Sequence, residues 1–492
     1  MILPLTRMPP NWFLRIINNI PRNVLMNIIS VIHNEKELHW RQMLKCVWSL
    51  SIPAMLAQTT YIVMEYIDAA MVGSLGAAAS ASIGLVAPVL WFLYGIGMAA
   101  VQGFSVQVAQ FIGAKKLLYS RDTFRQGLIC VTAFAVLISV IGVYISPYLP
   151  GWLGATPEIY VGAYDYFQVY MFGMPIVMLR ILSTAMLQSS GSMKSASFFN
   201  SIMCVLDIGF NALFIFSSGY VAILGIEVWW PGFGLGVKGA ALGTVTAEGV
   251  TACILLYLAM LRRKYTRQKD GMKWKLTWAC LRDALKISCP IALEQGVLTG
   301  AMIAMMIIVA PLGTVAIAAN SFAITAESFC YMPGYGIAIA ATTLVGQSIG
   351  AQKKKFAKGF AWFSLGTGMF TMGTLAVIMY VLAPEVFAFL TPVKNVQDLG
   401  TEVLRIQLLA EPLFAVSIVG AGALRGVRDT LFSSVMNLVS VWGVRIPIAL
   451  YLVGIYGLHG AWIAMCLEIC FRGLLFLVRI YKQKWENRGS ME

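Results

Sequence analysis

Four polar residues within apolar stretches of the sequence carry side chains that can bind a small cation: Asp68, Asp207, Asn211 and Thr244. Asp207 and Asn211 are four residues apart, so they share one face of a helix. At a rise of about 1.5 Å per residue, Asp68 and this pair lie in the middle-to-outer part of helices that cross a membrane. Thr244 lies at a similar height. We therefore predict that the four side chains converge.

The chemistry of this cluster is that of a cation site. Its oxygen atoms are ligands of the kind that hard cations prefer. Two carboxylates held close together in a low-dielectric interior do not both stay ionised unless a cation neutralises them. We predict that Na⁺ binds at Asp68, Asp207 and Asn211, or that the carboxylates share a proton, and we expect no other cofactor. Glu65, one turn before Asp68 on the same face, either joins the site or is neutral and hydrogen-bonded nearby.

Three more acidic residues lie in apolar stretches of the second half of the chain: Glu294, Glu327 and Glu411. Ionisable groups inside a bilayer are costly, so each of them is a candidate for function. We predict that they line a substrate cleft, where negative charge attracts a cation. Glu411 precedes a proline, so a role in a helix kink is the alternative for it.

The other membrane-embedded charges have simpler interpretations. Arg445 is expected to pair with a carboxylate and brace its surroundings. Glu468 precedes Arg472 by four residues, the spacing of an ion pair on one helix face. Glu248 follows Thr244 by one turn and is a further candidate for function.

The composition indicates that these residues belong to a membrane protein. Hydrophobic residues make up 59% of the 492 residues and charged residues 12%. Apolar stretches of about 20 residues, each long enough to cross a bilayer as a helix, recur along the chain. They predict twelve spans, at residues 46–72, 82–111, 126–149, 159–179, 196–216, 237–261, 287–310, 318–348, 360–383, 403–424, 431–453 and 457–478.

The basic residues predict how these spans are oriented. The net charge of +14 would suggest nucleic acid in a soluble protein. Nearly all the Lys and Arg residues, however, fall in every second segment between spans, as the positive-inside rule requires of cytoplasmic segments. We therefore predict a multi-pass inner-membrane protein with both termini in the cytoplasm and with membrane lipid, not nucleic acid, around it.

Enzyme motifs are missing from the sequence. It has no HExxH, no GxSxG within a predicted span and only three histidines, none of them mid-membrane. We expect a protein without enzymatic activity, working as a monomer.

An ungapped internal repeat divides the chain into halves. Ser51 to Lys116 aligns with Ser288 to Lys353 at an offset of 237 residues. Residues kept in register, to which we assign structural roles, include Pro53 with Pro290, Gln110 with Gln347, and Gly113 with Gly350. Because each half has six spans, an even number, both enter the membrane in the same sense. The sequence predicts an all-α membrane protein of twelve helices, in two six-helix lobes related by a pseudo-two-fold axis along the membrane normal.

The predicted segments follow from this division. Residues 43–261 and 284–480 form the two lobes, and the polar stretch 262–283 links them in the cytoplasm. Residues 1–42 form a cytoplasmic extension and 481–492 a cytoplasmic tail. Within the extension, residues 11–32 form either an amphipathic helix on the inner leaflet or an unstructured basic segment.

Several motifs resemble those of the multidrug and toxic compound extrusion (MATE) family, which belongs to a wider superfamily of flippases. The resemblance covers about residues 46–480. It rests on Asp68-Ala-Ala-Met-Val-Gly73, on Gly-Ala after both second helices of the repeats, on Gln188-Ser-Ser-Gly191 and Leu424-Arg425-Gly426, and on Arg445-Ile-Pro447.

The resemblance implies a function for the cleft between the lobes. It implies export of organic cations, including drugs, in exchange for Na⁺ or H⁺ that flows inward. It also implies that Asp68, Asp207, Asn211 and Thr244 bind this coupling ion, because they match the family's polar positions in spans one, five and six. The alternative is a flippase for lipid-linked oligosaccharide or polysaccharide in the same superfamily. A flippase favours a cationic cleft for pyrophosphate, whereas only Arg405 and Arg445 fall within the predicted spans.

Overall fold

The computed structural model describes residues 31–32, 38–223, 226–263, 265–268 and 275–482. Most of the predicted N-terminal extension, including nearly all of the candidate amphipathic helix at 11–32, lies outside these residues, as does most of the predicted C-terminal tail.

The first lobe contains six long helices and one hairpin. A single-turn helix, Leu149–Trp152, precedes the fourth long helix, and the sixth ends in a π-helical turn, Leu258–Arg262. The elements are α1 (Trp40–Gly73), α2 (Ala77–Gly113), α3 (Leu117–Ile145), α4 (Pro157–Ser189), α5 (Met193–Ile215), β1 (Ser217–Ile223), β2 (Ile226–Phe233) and α6 (Gly236–Tyr257).

The second lobe repeats this order without the hairpin. Its first helix ends in a 3-10 turn, Ala310–Leu312, and a π-helical stretch, Val441–Arg445, lies within its fifth span. The helices are α7 (Trp278–Val309), α8 (Thr314–Gly350), α9 (Lys354–Leu390), α10 (Lys394–Leu408), α11 (Glu411–Gly426), α12 (Thr430–Ser440), α13 (Ile446–Tyr456) and α14 (Leu458–Tyr481).

The prediction of twelve spans agrees with this architecture. Among the described residues, eleven helices are long and apolar enough to cross a membrane, and the pair α10–α11 makes a twelfth. That pair is bent by 57°, whereas the sequence predicted one continuous span. Pro412 at the start of α11 accounts for the break, because proline lacks an N–H and favours the first turn of a helix. The hairpin is also new: β1 and β2 pair antiparallel between α5 and α6.

The packing of α1 and α7 joins the lobes. Met43, Val47 and Leu50 at the start of α1 belong to an apolar core made mainly of α8, α9 and α11. Reciprocally, Ala284 near the start of α7 belongs to the core of the first lobe. Each lobe is therefore held by the first helix of the other.

The lobes meet most closely at one end of the bundle. In α2 nearly every residue from Gly103 to Gly113 is buried, whereas few before Gly97 are. In α8 all residues from Thr343 to Gly350 are buried. Both helices end at turns rich in lysine, and we call this side of the molecule the basic end.

Candidate functional site

The predicted cation cluster forms in the first lobe, where α1, α5 and α6 meet. The amide Nδ2 of Asn211 donates to Asp68 Oδ1 at 2.9 Å and to Asp207 Oδ2 at 3.0 Å. Asp207 is fully buried and Asn211 nearly so. The hydroxyl of Thr244 lies beside the Asp207 carboxyl group, as predicted. One amide thus bridges two carboxyl groups from different helices.

A glycine on α6 makes this arrangement possible. A Cβ atom at position 243 would lie 2.0 Å from Asn211 Oδ1, far closer than van der Waals contact allows. Gly243 therefore lets α6 approach α5 closely, which places Thr244 next to Asp207. The sequence showed this glycine only as part of a small-residue cluster. Its contact with Asn211 requires the fold.

Two oxygen atoms of the cluster lack a hydrogen-bond partner. Asp207 Oδ1 and Asn211 Oδ1 are both buried, and no described group donates to them. Buried polar atoms are normally satisfied, so unpaired ones require an explanation. Because the described residues hold no group of three His, Cys, Asp or Glu placed to bind a metal, the cluster does not suit a transition metal. Two carboxyl groups with neutral oxygens fit Na⁺ or a shared proton.

Glu65 lies near this cluster but is not buried in it. Its side chain is exposed and lies beside Tyr61, one turn from Asp68 on α1. The described structure thus places Glu65 at the edge of the site, within electrostatic reach of Asp68.

The first lobe also contains a buried ion pair that the sequence interpretation missed. Arg180 on α4 pairs with Glu248 on α6, and its Nη1 donates to Asn200 Oδ1 on α5 at 3.0 Å. The sequence prediction ended the fourth span at residue 179 and so placed Arg180 in the cytoplasm, which is wrong. The helix continues to Ser189, and Arg180 is buried inside it. Glu248 is therefore engaged by an arginine.

The three acids assigned to a substrate cleft are all buried within the second lobe. Glu294, Glu327 and Glu411 are 6%, 5% and 0% exposed, respectively. Both oxygens of Glu294 are bonded: Ser434 Oγ donates at 2.9 Å and Asn437 Nδ2 at 2.6 Å. Glu294 therefore ties α7 to α12.

Glu327 and Glu411 form a second acidic pair. They lie on α8 and α11, within electrostatic reach of each other. Neither carboxyl oxygen of Glu411 has a hydrogen-bond partner among the described residues.

The predicted brace in the second lobe is confirmed. Arg445 Nη2 lies 2.5 Å from Glu468 Oε2, and Arg472 Nε lies 3.1 Å from Glu468 Oε1. Ser440 Oγ donates to the same carboxylate at 2.6 Å. These contacts join the π-helical stretch to α14. Arg405, by contrast, is bonded to the Tyr380 carbonyl oxygen at 3.2 Å.

A family model described as MatE matches residues 53–213 and 290–451, well over half of the chain. The chain belongs to the MatE family. The two matches begin at residues 53 and 290, which is the 237-residue offset of the internal repeat. The MatE unit is thus present twice, once in each lobe.

Relatives of this MatE chain include proteins named for drug resistance. A "Probable multidrug resistance protein NorM" of Thermotoga maritima is 27% identical over 451 residues, covering 90% of this chain and 93% of the relative. A protein with the same name from Mannheimia succiniciproducens is 25% identical over 463 residues, covering 91% and 96%.

Solved structures share the MatE fold. One, described as the outward-facing conformation of a multidrug resistance MATE family transporter, has a TM-score of 0.82 and 18% identity, covering 94% of this chain and 99% of that one. A MOP superfamily transporter from Pyrococcus furiosus has a TM-score of 0.81 and 20% identity, covering 91% and 98%. These similarities confirm the predicted family and the twelve-helix, two-lobe fold class.

Proposed function

We propose that the chain is a multidrug efflux transporter that exports organic cations in exchange for Na⁺ or H⁺. The observation that carries the proposal is the buried cluster of Asp68, Asp207 and Asn211, whose unpartnered oxygens can accept a cation. The relatives named multidrug resistance protein NorM support the drug-export part of the proposal.

In the proposed cycle, the coupling ion acts by neutralising charge. Without it, the two carboxyl groups face each other across α1 and α5 in a low-dielectric interior, which is unfavourable when both are ionised. An ion at Asp207 Oδ1 and Asn211 Oδ1 draws α1 towards α5 and α6 because Asp68 lies on α1. Since the start of α1 packs on the second lobe, a shift of α1 can bias the lobes towards another arrangement.

The proposal includes an orientation. The basic end, where the lobes are closed, lies in the cytoplasm of an inner-membrane protein, as the positive-inside rule requires. The cluster then faces the outside, from which the ion enters. We further propose that the transporter works as a monomer surrounded by membrane lipid and has no enzymatic activity.

The charges inside the lobes support a cationic substrate over an anionic one. Among the described residues, the buried arginines of the lobe interiors, Arg180 and Arg472, are each paired with a glutamate. An anionic pyrophosphate group would need an arginine free of such a partner. The Pyrococcus furiosus protein is described as having a binding pocket of reverse polarity, so the fold alone does not fix the charge of a substrate.

Efflux from everted membrane vesicles tests the proposal. We expect a fluorescent organic cation to be transported when a Na⁺ or pH gradient is imposed, and the gradient that drives transport identifies the ion. Asp68→Asn should abolish the dependence on the ion. Asp398→Asn, an exposed aspartate paired only with Lys394, is the matched control and should behave like the parent protein.

The outcomes separate the two parts of the proposal. If Asp68→Asn retained the full dependence on the ion gradient, the cluster would not be the coupling site. If no organic cation were exported under either gradient, the assignment as a drug exporter would be wrong, and transport of a lipid-linked anion should be measured in its place.

A further inference from the structure

The repeated glutamines make reciprocal contacts between the lobes at the basic end. Gln110 Nε2 of the first lobe donates to the Gly426 carbonyl oxygen of the second at 3.0 Å. Gln347 Nε2 of the second lobe donates to the Ser189 carbonyl oxygen of the first at 2.8 Å. Both glutamines are almost completely buried. Ser189 and Gly426 are themselves 237 residues apart, so one contact is made twice by symmetry.

The turns that supply the two acceptors have the same shape. Ser189 ends α4 and Gly426 ends α11. Two residues beyond each acceptor the backbone has a positive φ, 79° at Gly191 and 64° at Arg428. The left-handed conformation is unusual for a residue such as arginine. The turn is therefore maintained in both lobes even though only one of them has the glycine.

The repeated glycines let the helices carrying these glutamines touch. A Cβ atom at Gly113 would lie 2.0 Å from the Gln347 carbonyl oxygen, and one at Gly350 would lie 1.9 Å from the Gln110 carbonyl oxygen. These oxygens belong to the backbone and cannot move aside as a side chain could. Glycine at both positions is thus a condition for α2 and α8 to meet.

We propose that the duplicated Gln-x-x-Gly segment is a symmetric latch that holds the basic ends of the two lobes together. Each glutamine crosses from its own lobe to the turn between two helices of the other, and each glycine allows the close approach. The latch residues position the lobes and do not contact substrate. The inference rests on the proposed transport function, in which the lobes must part at this end for substrate to enter.

The chemistry of the latch suits this task. Both bonds join a neutral amide to a backbone carbonyl oxygen, so their strength does not depend on protonation or on nearby salt. A bond of this kind contributes little net free energy, because water can replace either partner when the lobes separate. The latch therefore favours the closed end by a constant, modest amount. The ion-sensitive cluster of the first lobe can then decide between the open and closed states.

Hydrogen–deuterium exchange of the full-length protein in lipid nanodiscs tests the latch without any transport. Exchange at residues 103–113 and 343–350 is slow while the ends are closed and rises with the fraction of open molecules. Gln110→Ala and Gln347→Ala should each accelerate it by about ten-fold, the effect of losing one hydrogen bond and leaving a buried carbonyl oxygen unpaired. Gln102→Ala is the matched control, since Gln102 is bonded only within its own helix, to Ser105.

The glycines give a second set of variants with a separate cause. Gly113→Ala and Gly350→Ala should accelerate exchange in both segments, because the added methyl group prevents the backbones from meeting. Gly84→Ala and Gly366→Ala are matched controls on α2 and α9, where nothing lies within 4 Å of the added atom.

Both glutamine variants must act in the same direction, since their bonds are related by symmetry. Unchanged exchange in Gln110→Ala and Gln347→Ala, equal to that of Gln102→Ala, would overturn the latch even if the glycine variants failed to fold. Loss of drug export by the parent protein would count against the proposed function alone, because the exchange experiment needs no substrate.

Discussion

Gly243→Ala should uncouple the cation cluster without removing any of its polar groups. Gly243 lies on α6 opposite Asn211, whose amide bridges Asp68 and Asp207. The added Cβ atom would lie 2.0 Å from Asn211 Oδ1, whereas ordinary contact begins at 3.4 Å. The Asn211 amide or the whole of α6 must therefore move by about 1.4 Å, the difference between these two distances.

The expected loss follows from the bonds that this movement breaks. The two bonds from Asn211 Nδ2 are 2.9 and 3.0 Å long, so a shift of that size takes them beyond hydrogen-bonding distance. Hydrogen bonds to charged groups contribute about 1.5–3 kcal/mol each. Allowing for partial relaxation, we expect the ion site to lose about 3 kcal/mol, which is roughly a hundred-fold in ion affinity.

Two measurements check this prediction. In everted vesicles, the ion concentration that gives half-maximal efflux should rise by about two orders of magnitude in Gly243→Ala. In detergent, the ion should raise the melting temperature of the parent protein but not that of the variant at the same concentration. Gly249→Ala is the control on the same helix, since its added Cβ would lie at an ordinary 3.5 Å from Ile176.

The reasoning is refuted if Gly243→Ala folds and keeps the ion dependence of Gly249→Ala. That outcome would mean that the Asn211 bridge is not needed for ion binding. Failure to fold is distinguished from uncoupling by the melting curve in the absence of the ion.

Two further predictions concern the stability of the lobes. Glu248→Gln leaves Arg180 buried without its carboxylate partner and should destabilise the protein by about 3 kcal/mol, read as a lower midpoint of thermal unfolding. Asp398→Asn, which breaks only an exposed pair, should cost less than about 1 kcal/mol. Glu411→Gln should leave the melting temperature unchanged or raise it, because the carboxyl group it replaces is buried and accepts no hydrogen bond among the described residues. A clear drop would show that the Glu411 carboxylate has a partner that stabilises it.

The features predictable from sequence are those fixed by local spacing and by length. Apolar stretches of bilayer length gave the spans, and a constant offset gave the repeat. The convergence of Asp68 with Asp207 and Asn211 could also be predicted, because depth along a helix follows from residue number. Arg180 shows the limit of this reasoning. Hydropathy ends a span at the first charge, but a buried arginine can remain inside a helix when a glutamate of another helix faces it.

Contacts between distant helices could not be predicted in the same way. Glu294 was assigned to a cleft because it is an acid within a span, yet Ser434 and Asn437 bond both of its oxygens. Nothing near position 294 in the sequence indicates these partners. The bend between α10 and α11 was likewise hidden, because Pro412 is compatible with either a kink or a new helix start.

The unequal lobes explain how one ion could move the whole molecule. At the offset of the repeat, Asp68 falls on Met305, and Asp207 falls near Trp442. Trp442 Nε1 donates to the Val297 carbonyl oxygen, so the second lobe uses this region to tie α7 to its π-helical stretch rather than to bind an ion. An ion at the first lobe therefore acts on that lobe directly and on the second only through shared contacts. The start of α1 and the two glutamine bonds at the basic end are such contacts. Because these contacts are kept in both repeats while the acids are not, the chain joins a symmetric hinge region to an asymmetric ion site.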